Sequence, residues 1–563
     1  MITSLVIVSS VFNAFGYAFF QRGLWEVVLL SGAAGLIGTW IVLRGLAFYG
    51  HAIAAAAFPG LVLADGIGFA PLLGALGAAG VFAFAVAGLA RTRRGEYATF
   101  TALALVGALA VGVILASDVF HSGANVETLL FGSLLLISRT DLLVAAAATA
   151  AALVLTVALG RRWLATGFDA SAVRALGVRS SLAEAALLVL VAFAVVASLD
   201  ALGALLVSAL FIVPAATARL WTRTLHSWQL ASIVLAAAEG IAGLWLAFEA
   251  NVPPGAAIAV VAGAVFVLAA LPRRMPVVAA AALLLLAGCG SGGGGPNVVA
   301  TTTQIGDWAR VVAGDKIAVH QILRTNTDPH EYEPRPDDVK ATSGAKVVLE
   351  NGLGLDGWMG KVVSAAGGHP DVVDLSTVIP TRIASDPHWW HDPQNAEAAV
   401  IAIGHALSEA DPAAARTFTR NANSYVRQLR SLDHELAACI SRVPVSERKL
   451  VTNHDAFGYF ARRYGIRVLG AVIPSTTTQA QPSAGETAKL IALIRREHVR
   501  AIFPEASLNP RVAQTIARAT GAPSRYTLYG DTLGPGQTYL QMMRANADAM
   551  VRGFTGGREG CAT

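Results

Sequence analysis

The stretch Pro272 to Gly295 reads PRRMPVVAAAALLLLAGCGSGGGG. Arg273 and Arg274 precede an uncharged run from Val277 to Leu286, and Leu286-Ala287-Gly288-Cys289 and a glycine-rich tether follow. A basic patch, a short apolar run and small residues before a cleavage point make a secretory signal. Here that signal sits in the middle of the chain. The competing reading is one more transmembrane helix. Val277 to Gly288 is 12 residues. As a helix that is ~18 Å at about 1.5 Å per residue, short of the ~30 Å hydrocarbon core. Read as a signal, the stretch divides the chain into a membrane half, 1–272, a junction, 273–296, and an exported soluble domain, 297–563.

Composition agrees. The chain has 563 residues, 55% of them hydrophobic and 14% charged, but the average covers two unlike halves. Residues 1–272 are runs of Ala, Val, Leu and Gly with charges at intervals, and 297–563 are of ordinary globular composition. The net charge of +5 is small for this length, and many arginines fall in loops of the apolar half. No nucleic-acid binding is read from it. Cys439 and Cys561 could pair in an oxidising compartment, but two cysteines leave the matter open.

In the membrane half, the spans expected are Leu24 to Leu43, Ala52 to Ala64, Leu72 to Ala90, Thr99 to Ala116, Leu142 to Gly160, Leu182 to Ser198, Ala201 to Ala218, Ser227 to Phe248 and Gly255 to Leu271. Residues 2–20 are also apolar, which leaves the number of spans before residue 24 open. Arginines cluster at Arg91 to Arg94, Arg161-Arg162, Arg174 with Arg179, Arg219 with Arg223, and Arg273-Arg274. Between them fall Asp65, Asp118 with Glu127, Asp200 and Glu249. Arginine loops belong on the cytoplasmic side, so the signal at 273 heads outward. Thr128 to Ile137 is apolar but too short to span, and reads as a re-entrant or surface-packed helix.

Four segments carry a resemblance: VLRGLAFYGHAIAAAAFPGL (Val42 to Leu61), LLFGSLLLIS (Leu129 to Ser138), FDASAVRALGVR (Phe168 to Arg179) and GALLVSALFIVPAATARL (Gly203 to Leu220). Residues 20–272 resemble the ABC-3 family of metal importer permeases. The resemblance implies that Phe168 to Arg179 is the coupling helix that docks on the ATPase, and that two permeases pair. The family often has a histidine where this chain has Ala55, and an acidic residue where it has His51, so His51 carries only a weak claim to the metal path. Leu286 to Cys289 resembles the lipobox of bacterial lipoproteins, which implies cleavage before Cys289 and lipidation of its thiol. No GxxxxGK[ST] phosphate loop occurs in the chain, so ATP hydrolysis falls to a separate subunit.

The exported half alternates strand and helix. Strands are expected at Asn297 to Gln304, Ile317 to Leu323, Lys346 to Glu350, Val372 to Leu375, Lys449 to Thr452, Val468 to Ile473 and Arg500 to Pro504. Helices are expected at Ile305 to Ala313, Pro393 to Ala410 with Asp392 as cap, Ala456 to Arg463, Gly485 to Glu497 and Pro510 to Thr520. Ala413 to Ser441 has neither glycine nor proline, and Phe418, Ala422, Tyr425, Leu429, Leu432, Leu436 and Ile440 recur at helical steps. The fold class is thus an all-α membrane bundle followed by an α/β protein of two lobes: an N-lobe at 297–410, a linking helix at 411–443 and a C-lobe at 444–563. This half resembles the cluster A-I solute-binding lipoproteins, the extracellular metal receptors of ABC importers.

Four motifs hold the chemistry: TDPHEYEP (Thr327 to Pro334), DPHWWHDP (Asp386 to Pro393), TNHDAFGYF (Thr452 to Phe460) and YGDT (Tyr529 to Thr532). The resemblance makes His330, His388, His454 and Asp531 the metal ligands. Histidines at strand ends in two lobes converge on the cleft between them, and three imidazoles with one carboxylate match tetrahedral Zn²⁺. His391 competes with His388 for the second place. Glu505, after a strand, is a candidate to support a ligand. His369, His434 and His498 read as surface residues.

These readings combine into an ABC importer of a divalent transition metal, zinc first and manganese second, set in a bacterial cytoplasmic membrane with its receptor outside. The implied partners are the bilayer, a separate ATPase and a second permease copy. A membrane-tethered zinc hydrolase is disfavoured. His330-Glu331 and His434-Glu435 begin HExxH, but Pro334 and Ala438 stand where the second histidine is needed. A metal-sequestering protein without transport would leave the whole permease-like half idle.

Overall fold

Apolar sequence before the junction folds as helices, as a bilayer demands of any backbone that crosses it. The computed structural model describes residues 14–92, 97–115, 134–168, 181–271, 298–384, 386–473, 475–476, 478, 484–508 and 511–561. Cys289, the loop after Phe168 and residues 128–133 lie outside them. In order, the helices of the first unit are α1 (Ala18–Leu43), α2 (Ala47–Ala56), α3 (Phe58–Ile67), α4 (Pro71–Thr92), α5 (Tyr97–Ile114), α6 (Arg139–Phe168), α7 (Ser181–Ala197), α8 (Leu199–Phe211), α9 (Val213–Arg219), α10 (Leu225–Ala250) and α11 (Pro254–Ala270). Among the described residues, five helical stretches are long and apolar enough to cross a membrane, and further apolar helices are shorter.

Two expected spans are interrupted. The stretch Ala52 to Ala64 breaks at Ala57, and Pro59 opens the next helix. Ala201 to Ala218 breaks twice: Gly203 takes φ 69°, ψ 161°, and Pro214 starts a separate helix. Proline has no N–H to give the preceding turn, so it opens a helix more readily than it continues one. Residues 134–137, at the end of the expected surface helix, form no helix.

The second unit is α/β. Its N-lobe sheet is four-stranded and wholly parallel, in the order β2-β1-β3-β4. The strands are β1 (Val298–Ala300), β2 (Val319–Gln321), β3 (Val347–Glu350) and β4 (Asp371–Asp374). Between them run α12 (Thr303–Ala313), α13 (Pro336–Ser343) and α14 (Met359–Ala366). Then α15 (Pro393–Ala410) starts at Asp392, whose side chain accepts from Gln394 N–H. Next comes α16 (Ala415–Ser441), 27 residues, or ~40 Å at about 1.5 Å per residue. Its buried stripe is the one expected, with Val426 and Cys439 added. That stripe enters a single core containing residues of both lobes.

The C-lobe is built on β5 (Lys449–His454) and β6 (Arg467–Ile473), a parallel pair, with α17 (Gly458–Tyr464), α18 (Ala484–Arg496), α19 (Arg511–Thr520) and α20 (Tyr539–Thr555). The strand expected at Arg500 to Pro504 is only a bridge between Phe503 and Thr452. Pro504 has no N–H to carry the ladder further. α20 was not anticipated.

Candidate metal centre

The carboxyl ends of the strands supply the centre. His330 follows β2, in a 3₁₀ turn Pro329–Glu331 whose start is capped by Asp328, which accepts His330 N–H at 2.9 Å. His388 lies in the turn before α15. Asp386 Oδ1 accepts its backbone N–H at 3.0 Å and pairs with its ring Nδ1 at 2.7 Å. His454 ends β5, where Glu505 Oε1 accepts its backbone N–H at 3.0 Å and pairs with Nδ1 at 2.9 Å. An ionised carboxylate only accepts, so Nδ1 carries a hydrogen in both rings and Nε2 is the inward nitrogen that offers a metal its lone pair once deprotonated.

Asp531 reaches the same point from the C-lobe, on a loop bonded to the N-lobe at three places. Trp390 Nε1 donates to Gly530 O at 3.0 Å, Asn326 N to Thr532 Oγ1 at 3.1 Å, and Leu533 N to Thr303 Oγ1 at 2.9 Å. Gly530 is needed there because a Cβ would run into Glu505 Oε2. The bonding is reciprocal. Tyr459 OH accepts from Ile383 N–H at 2.9 Å and donates to Asp386 O at 3.2 Å, while Tyr539 OH donates to Trp390 O at 2.6 Å. Two C-lobe tyrosines thus hold both ends of the N-lobe turn that carries His388.

One ligand atom from each of His330, His388, His454 and Asp531 lies within 4.8 Å of all the others. Asp531 Oδ1 is 3.2 Å from His388 Nε2, and Oδ2 is 3.4 Å from His454 Nε2 and 4.0 Å from His330 Nε2. The Nε2 atoms of His388 and His454 are 3.3 Å apart. Ligands at about 2.0–2.1 Å from a tetrahedral ion stand roughly 3.3 Å from one another, so three of these four distances already lie near that length, while His330 stands farther off. His388, His454 and Asp531 are buried.

Electrostatics follows from that crowding. Burial pushes His330 down to about 3. Burial also opposes charge on His388, but Asp386 and Asp531 outweigh it and raise the ring to about 9. His454 is raised well above the ordinary range, with Glu505 and Asp531 overcoming burial. The same pairings hold Asp531 well below the carboxylate range, against its own burial.

His391, the rival of His388, is buried with neither ring nitrogen hydrogen-bonded, and stacks on Phe457 at 4.5 Å. It is outside the four-residue group. Asp386, Trp390, Tyr459 and Tyr539 were not singled out by motif. Only Asp386 left a usable signal, as the acid two residues before His388. His369, His434 and His498 are exposed.

Residues 16–273 match the ABC 3 transport family, and 298–553 match zinc-uptake complex component A, periplasmic, the ZnuA family. The iron-binding protein YfeA of Yersinia pestis is 32% identical over 46% of this chain and 86% of its own length. This chain joins an ABC 3 permease to a metal receptor of the ZnuA family. The fusion is also 30% identical to the manganese-binding lipoprotein MntA of Halalkalibacterium halodurans, over 46% of this chain and 88% of that protein. The periplasmic zinc binding protein TroA of Treponema pallidum is 31% identical in sequence, with 46% of this chain and 99% of that one covered and a TM-score of 0.44. Both matched families are metal transporter components, a permease and a metal-binding receptor, and they place the fusion at a membrane.

Proposed function

We propose that the fusion imports Zn²⁺, with residues 1–272 as permease, 273–296 as lipoprotein signal and tether, and 297–563 as an extracytoplasmic receptor. The observation that carries this reading is the convergence of His330, His388, His454 and Asp531. Three imidazole nitrogens favour zinc, whereas manganese prefers more oxygen. Manganese import by the same architecture is the second reading, because a relative is named for that metal.

The receptor side faces outward, because the arginine clusters lie on alternate loops. A separate ATPase docks on the loop 168–179, and two permease halves pair. Cys289 is the lipidation point, and blotting should show a receptor-sized fragment in the wild type and a single full-length band in Cys289→Ala. Uptake of radioactive zinc by cells carrying the fusion tests the function. Asp531→Ala should abolish high-affinity uptake, and undiminished uptake would remove the centre from transport.

A further inference from the structure

Asp307 is a buried carboxylate on α12, outside the four motifs that supply the metal centre. Its Oδ2 accepts the backbone N–H of Tyr539 at 3.0 Å and the hydroxyl of Tyr425 at 3.3 Å. One N-lobe side chain thus bonds both the linking helix α16 and the first residue of α20 in the C-lobe. Burial pushes its carboxyl up, and the Tyr539 N–H, Arg310 and Tyr425 pull it back. Thr303, one turn earlier on the same face of α12, accepts Leu533 N–H.

The first N–H groups of a helix have no partner within it and carry the positive end of its dipole. At the start of α20, Gln541 N–H goes to Thr538 in the capping box. Tyr539 N–H goes to Asp307, 232 residues away in sequence. A carboxylate makes a strong, charge-assisted bond in that place, so the N-lobe fixes where α20 begins.

Tyr539 passes that position on. Its ring packs edge-on to Trp308 at 5.0 Å, and its OH donates to Trp390 O at 2.6 Å. Trp390 stands two residues after His388, and its Nε1 donates to Gly530 O, the residue before Asp531. Asp307, Tyr539, Trp390 and Gly530 therefore form one run of hydrogen bonds that ends beside two of the four clustered side chains. Removing Asp307 leaves those four in place but takes the acceptor from Tyr539 N–H and loosens the support of both His388 and Asp531. We propose that Asp307 is a positioning residue for the metal centre: acting through Tyr539, it holds the His388 turn and the Asp531 loop together and so sets how slowly the ion leaves. The proposal rests on the metal-receptor reading.

The test is the rate at which the full chain in detergent, loaded with Zn²⁺, gives the ion up to an excess of chromophoric chelator. A group that supports a ligand costs about 10–100-fold in affinity when lost. Asp307 acts at one remove, so Asp307→Ala should release zinc about tenfold faster, the low end of that range. Asp307→Leu, which fills the space without an acceptor, serves if Asp307→Ala does not fold. Asp307→Asn keeps an oxygen for Tyr539 N–H and should restore most of the retention. Tyr539→Phe, lacking the hydroxyl, should also speed release, and adding Asp307→Ala to it should cost little more, because both act along one path. A residue that only stabilised the fold would lower the thermal midpoint and leave the release rate alone. Tight zinc binding by the wild type with unchanged release from Asp307→Ala, or fully additive effects in the double variant, overturns the proposal alone. A wild type that holds no zinc overturns the receptor reading and the proposal with it.

Discussion

Asp386 and Glu505 each take both the backbone N–H and the ring Nδ1–H of the histidine they serve. Each pairing fixes a tautomer and also raises the basicity of the ring. His388 sits at about 9 and His454 higher than an ordinary histidine, whose value is about 6.5. Below about 9 the metal-free His388 ring therefore carries a second proton, His454 is shifted in the same direction, and burial keeps His330 neutral. A bound ion must displace that proton. Lowering the pH refills the rings, so affinity falls as pH drops, and it does so from about 9 downward for His388. Competition titrations between pH 6 and 8 should show affinity rising steadily with pH, by at least about one decade per unit from His388 alone. A flat profile above pH 7 would contradict the pairing. The four clustered side chains were legible because each lies in a short local motif. Tyr459 and Tyr539 were not. Their bonds to Asp386 O and Trp390 O cross 73 and 149 residues of sequence, and no local pattern encodes them.

At the scale of elements, periodicity served where one apolar stripe faces one core. α15 and α16 lie within two residues of their expected ends. It failed where strands are short: Arg500 to Pro504 reads as a strand but holds a single bridge. α20 was overlooked although Thr538 and Gln541 form a capping box at its start, a signal legible as Thr-x-x-Gln. Its Met542, Met543, Met550 and Phe554 belong to the same core as α16. A disulfide between Cys439, near the end of α16, and Cys561, beyond α20, joins positions 122 residues apart. Closing so long a loop removes freedom from the unfolded chain, worth about 5 kcal/mol. Cys561→Ser should therefore lower the receptor's thermal midpoint by several degrees in an oxidising buffer. An unchanged midpoint would mean that the bridge adds nothing to stability.

At the scale of the molecule, the junction decides the reading. Hydropathy and arginine spacing identify a membrane half before it, and strand–helix alternation identifies a receptor after it. What hydropathy could not show is where helices break, because Gly203 and Pro214 interrupt an apolar run without changing its polarity. All of this depends on the centre formed by His330, His388, His454 and Asp531. The most direct measurement is zinc affinity of the full chain in detergent, by chelator competition, across single alanine variants. The wild type should hold one tightly bound Zn²⁺ in its receptor, and His330→Ala, His388→Ala, His454→Ala and Asp531→Ala should each lose most of that affinity while His391→Ala keeps it. Abolished binding in His391→Ala with a silent His388→Ala would contradict the account.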